Sequence, residues 1–149
     1  MDHDSPRTLV DHLDRESAQL INNLKQLVNS VTPDLLYRRP PHVSIGENVL
    51  RSAAALEQTF GGLTANLWDD PFEWTLPETL SNVDRIIEYL SEVDLARERA
   101  FDSIDDAALT KYVTVPSGES RLLIGVLLET LVKASDLRGR AATEGRPNS

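Results

Sequence analysis

Three histidines, His3, His12 and His42, are the side chains here best suited to bind a transition metal or move a proton near neutral pH. Their spacing argues against a shared site. Two imidazoles on one helix face bind one ion when they stand four residues apart, and no two of these do. His3 lies near the first residue, His12 stands beside Asp11 and Asp14, and His42 falls in a proline-rich stretch. Each reads as a surface or loop histidine. The chain has no cysteine, which excludes disulfides, thiolate metal sites and a catalytic thiol. Ser117-Gly-Glu-Ser120 lacks the Gly-x-Ser-x-Gly turn that exposes a nucleophilic serine, and no glycine-rich phosphate loop occurs. Asp69-Asp70 and Asp105-Asp106 fall in expected turns, while Glu92, Asp94, Glu98 and Asp102 alternate with Arg97 and Arg99 as on a solvated helix face.

The elements that must position any such group are helical. Ser5 is the expected cap of a first helix, with Pro6 at its first position, where a missing N–H costs nothing. Leu9, Leu13, Leu20, Leu24 and Leu27 recur at helical spacing, Ser17 filling a gap in the stripe. This helix is expected to fade near Asn29, before a crossing connection, Pro33 to Pro41, that holds three prolines. Ser44-Ile-Gly-Glu47 is a capping box, followed by the stripe Ile45, Val49, Ala53, Leu56, Phe60, Leu63 and Leu67. Gly61-Gly62 weakens this second helix and marks a close crossing or an early end. Trp68 precedes an irregular stretch, Asp69 to Pro77, that contains Phe72 and Trp74; the three read as anchors pinning it to the bundle, or else as the lining of a ligand pocket.

A third helix is expected from a Ser81 cap to Phe101, burying Val83, Ile86, Ile87, Leu90 and Val93. A short helical turn follows within Asp102 to Thr110. Tyr112-Val-Thr-Val115 and Pro116-Ser-Gly118 then suggest a small extended or hairpin piece. A fourth helix, Arg121 to Ala141, carries Leu122, Leu123, Val126, Leu127, Leu131 and Val132, and a polar tail is expected from about Glu144. Four helices of about 20 residues, each near 30 Å, suffice for one all-α four-helix bundle over residues 1–149. The long connection between the first two allows parallel neighbours.

With 24 acidic against 15 basic residues the net charge is −9, which disfavours nucleic acid. No apolar run approaches the ~18 residues that span a bilayer, so no membrane association is expected. The polar, acidic start and the lack of cysteine agree with a cytoplasmic location.

Four short motifs, in order, carry a resemblance: Val43-Ser-Ile-Gly-Glu-Asn-Val-Leu50; Ile104-Asp-Asp-Ala-Ala-Leu109; Tyr112-Val-Thr-Val115 leading into Leu123-Ile-Gly-Val-Leu-Leu128; and Leu137-Arg-Gly-Arg140. Together they resemble the DinB-like (DinB/YfiT-like) four-helix-bundle superfamily. The resemblance implies an up-down-down-up bundle with a long helix 1–2 crossing connection, often assembled as a homodimer. Members of that family with the full motif hold a metal with one histidine from helix two and two from helix four, four residues apart, and include thiol transferases and isomerases. At the corresponding positions this chain has Arg51, Lys133 and Leu137. A protonated Arg or Lys does not ligate a metal, and Leu137 has no donor, so neither a metal nor another cofactor is expected.

If helices two and four face each other as the resemblance implies, Arg51 and Lys133 approach Glu129, Glu57 or Asp136. Glu129 precedes Lys133 by four residues, the favourable order for a helical ion pair. The relic metal pocket, Arg51, Glu129, Lys133 and Leu137, then reads either as an ion-pair network or as a cationic site for a small carboxylate, phosphate or thiol, with Arg51 as bidentate donor. The expected function is a non-catalytic ligand-binding or interaction bundle. The alternative is a metal-independent thiol S-transferase or isomerase in which Arg51 or Lys133 steadies a thiolate, although no general base accompanies them.

Overall fold

Leu13, Leu20, Leu24 and Val28 form the buried edge of helix α1 (Thr8–Ser30) in a computed structural model that describes residues 6–38, 44–65, 68 and 80–144. Leu9, expected in this stripe, is 52% exposed, and Val10 takes the inward position beside it. Ser17 fills the stripe as expected and satisfies its hydroxyl on the Leu13 carbonyl at 2.8 Å.

The start of α1 departs from the local expectation. Ser5 lies outside the described residues, the helix begins at Thr8, and Arg7 at the cap position gives no side-chain acceptor to the N–H groups of the first turn. The Asp106 carboxylate serves instead, accepting from the Val10 N–H at 2.9 Å and the Leu9 N–H at 3.2 Å. Arg7 donates to the carbonyls of Ile104, at 2.6 Å, and Phe101, at 3.1 Å.

Part of the expected crossing connection forms a short helix, α2 (Pro33–Leu36), opened by Pro33 and burying Leu36. Next to it the Tyr37 ring lies against Gly46, where a Cβ would stand 2.5 Å from a ring carbon. Helix α3 (Ile45–Ala65) begins at the expected capping box, with the Glu47 N–H donating to Ser44 Oγ at 3.1 Å. Ile45, Val49, Ala53, Leu56 and Phe60 are buried; Leu67 lies outside the described residues.

Helix α4 (Val83–Asp102) is capped by Asn82, whose Oδ1 accepts from the Arg85 N–H at 3.0 Å, rather than by Ser81. Ile86, Leu90, Val93 and Phe101 fill its inner face, Phe101 meeting Phe60 edge-on at 5.8 Å. The expected turn is a 3-10 helix, Asp106–Thr110. Strands β1 (Tyr112–Thr114) and β2 (Ser120–Leu122) then pair antiparallel, Val113 opposite Arg121, around a turn where Gly118 takes φ 88°. The last helix, α5 (Leu123–Glu144), therefore starts later than its sequence suggests, because Arg121 and Leu122 belong to β2.

Among the described residues the fold is thus all-α except for one small hairpin, with four long helices. Helix α1 packs on α4 and α5, and α3 packs on the same two. Arg7 reaching Phe101 and Arg97 meeting Asp14 set α1 and α4 antiparallel. The Ser52 hydroxyl donates to the Ala134 carbonyl at 2.7 Å and Thr59 meets Thr130, so α3 and α5 also run antiparallel. No helix among the described residues is long and apolar enough to cross a membrane.

Candidate functional site

The antiparallel pairing of α3 and α5 opens a cleft of about 180 Å³ toward solvent. Its floor is polar and self-satisfied. Thr59 and Thr130 place their hydroxyl oxygens 2.7 Å apart, and the Thr130 hydroxyl donates onward to the Val126 carbonyl at 2.8 Å. Thr59 therefore supplies the proton between them. Trp68 closes one end. Its ring rests on Gly62, where a Cβ would fall 2.2 Å from a ring atom, so only glycine permits this approach without displacement. The Trp68 carbonyl accepts from Gln58 Nε2 at 2.9 Å, which fixes the backbone beyond α3. Val115 and Pro116, from the hairpin connection, also line the cleft.

Two of the four residues singled out in the sequence line this cleft, Glu129 and Lys133. The other two do not. Arg51 is exposed on α3, one residue before the Ser52 that faces α5, and Leu137 is half-buried one turn beyond Lys133. The expected acidic partners have other engagements. Glu129 is gripped by Arg121 through both oxygens, Asp136 pairs with Arg140 at 3.1 Å, and Glu57 accepts from the Tyr89 hydroxyl at 2.5 Å. The Glu129–Lys133 ion pair is therefore replaced by Glu129–Arg121, whose planar fork matches a carboxylate with two bonds where an ammonium offers a point charge. That hydrogen bond, aided by the Arg121 charge, holds the Glu129 carboxyl below its ordinary pKa. Lys133 is exposed and has no ion pair among the described residues.

The cleft thus combines one ammonium that has no ion pair among the described residues with walls from Trp68, Pro116 and Val126 and the Thr59 and Thr130 hydroxyls. Such a surface suits a compact ligand with an anionic end and an apolar body. Sequence reasoning missed Thr59 and Thr130, which lie 71 residues apart and carry no local signal of meeting. Gly61-Gly62 is expected to mark a close helix crossing or an early end; the close approach is made instead by the Trp68 ring on Gly62. Phe72 and Trp74 lie outside the described residues.

Elsewhere, some charges are taken up by contacts between helices. Glu57 and Tyr89 join α3 to α4; burial raises the Glu57 pKa, the Tyr89 bond draws it back, and the Glu92 charge raises it again. His12 is exposed on α1, and His3 and His42 lie outside the described residues. Among the described residues no three His, Asp or Glu side chains converge as a metal site would require. Comparison with protein-family models, with curated proteins and with solved structures finds no match.

Proposed function

We propose that this chain is a DinB-like bundle without the metal triad that binds a small anionic ligand in the α3/α5 cleft and performs no chemistry on it. The observation that carries the reading is Lys133, an ammonium at a cleft edge with no ion pair among the described residues, beside the apolar walls of Trp68 and Pro116. A volume near 180 Å³ is below the ~300–1,000 Å³ of pockets for drug-sized ligands, which favours a short or aromatic carboxylate over a nucleotide. The net charge of −9 repels anions at a distance, but at physiological ionic strength that field fades over about 8 Å, leaving the nearest cation to decide.

The up-down-down-up order belongs to the same proposal. It is supported by the antiparallel pairs α1/α4 and α3/α5. A further support is Tyr37, which packs on the first turn of α3 and donates to the Leu80 carbonyl just before α4. Homodimer assembly and a cytoplasmic location, without nucleic-acid binding, complete the reading; the mass in solution tests the dimer, two chains supporting it and one removing it.

Titration with benzoate, followed by amide chemical shifts, tests the site. Benzoate is expected to move Trp68 and Thr130, its neutral analogue benzamide to bind more weakly, and Lys133→Met to lose about tenfold in affinity, the scale of one charge-assisted hydrogen bond. Equal binding of benzoate and benzamide, or an unaffected Lys133→Met variant, would sink the reading. Turnover of glutathione with 1-chloro-2,4-dinitrobenzene, lost in Lys133→Met, would select the metal-independent thiol transferase instead.

A further inference from the structure

We propose that Arg121 sets the charge of the cleft by holding Glu129 away from Lys133, an inference that rests on the anion-binding reading above. Glu129 stands four residues before Lys133 on α5, the spacing and order in which carboxylate and ammonium pair along a helix. Its carboxylate is instead taken from the other side. Arg121 Nη1 donates to Oε2 at 2.5 Å and Nη2 donates to Oε1. The guanidinium reaches across Gly125, passing 4.0 Å from where a Cβ would stand. One carboxylate thus lies between two cations, and the bidentate partner holds it.

Arg121 is placed on β2, opposite Val113, in the hairpin whose connection supplies Val115 and Pro116 to the cleft wall. Seating the hairpin therefore does two things together: it builds one wall and neutralises Glu129, leaving Lys133 open to a ligand. Without the Arg121 charge, Glu129 pairs with Lys133 and competes with any incoming anion. Arg121 acts here through Glu129 and is a positioning residue.

Benzoate affinity in Arg121→Gln, Glu129→Gln and the double variant separates this role from simple pinning of the hairpin, because both single changes break the same contact. Arg121→Gln is expected to weaken benzoate about twofold, the scale of a helical ion pair with which the ligand now competes. Glu129→Gln is expected to bind at least as tightly as the unaltered protein, and the double variant to match it. Equal weakening in all three would overturn the proposal. A ligand-free readout is the carbon-13 titration of the Glu129 carboxyl. Adding Lys133→Met to Arg121→Gln should raise its midpoint, whereas Lys133→Met alone should leave it unmoved; no change in either background would overturn the exchange of partners. Absence of benzoate binding in the unaltered protein, with the titration result intact, would remove the anion-site reading and leave that exchange standing.

Discussion

The α1/α4 side and the α3/α5 side of this bundle use charge in opposite ways. Between α1 and α4 the charged groups are committed to the fold. Arg97, with a side chain only 11% exposed, meets Asp14 and bonds Asp94 at 2.8 Å. Burial works against its charge, yet those bonds outweigh it and hold its pKa above the ordinary value. Arg7 closes the end of α4, and Asp106 closes the start of α1. Between α3 and α5 two neutral contacts cross the interface, Ser52 to the Ala134 carbonyl and Thr59 to Thr130. Lys133 is left at the edge. A cation that the fold does not use is the better candidate for a ligand, and substitutions on the two sides should separate accordingly.

The largest effect is expected at Arg97. Arg97→Met leaves Asp14 and Asp94 facing each other without a partner, and should cost about 2 kcal/mol in urea unfolding, between the values for exposed and buried pairs. A loss no greater than that of an exposed pair would erase the contrast. Asp106→Ala removes the acceptor for two N–H groups of α1 and should cost about 1 kcal/mol, with exchange protection lost first at Leu9 and Val10.

Glu57→Gln goes the other way, because burial raises the folded pKa of Glu57 above its unfolded value. A carboxyl shifted upward contributes stability below its unfolded pKa and loses it as pH rises through the folded pKa. The variant should therefore gain about 0.5 kcal/mol or less at pH 7, allowing for the part exposure of Glu57, and the gain should vanish as pH falls below the ordinary carboxyl range. Persistence of the gain at low pH would assign it to packing instead. Lys133→Met should change stability by less than about 0.5 kcal/mol while lowering benzoate affinity. A larger loss of stability would make Lys133 structural and bring the two sides level.

What was legible in the sequence was what neighbouring residues decide. Ser44 and Glu47 form their cap because both partners lie within one turn. The inner stripes of α3 and α4 follow from helical period alone. Asn82 displaced Ser81 as a cap by a single residue; both are good caps, and Val83 opens the helix. The start of α1 was not legible, since its acceptor comes from Asp106 rather than from the adjacent chain. The candidate site divides the same way. The i, i+4 rule pairs Glu129 with Lys133, but β2 brings in a guanidinium whose position depends on the hairpin register. Arg51 fell outside the cleft because Ser52, the next residue, turns toward α5.

The bond from Val10 to Asp106 spans 96 residues, and that separation orders events in time. During synthesis α1 emerges first, yet the groups that close its start are made only after α4 is complete. A nascent chain ending before Asp106 carries the whole amphipathic sequence of α1 with its first turn open, and closing so long a loop is slow compared with helix growth. Helix α1 is therefore finished only after α4 has been made, and the step that finishes it joins two segments 96 residues apart.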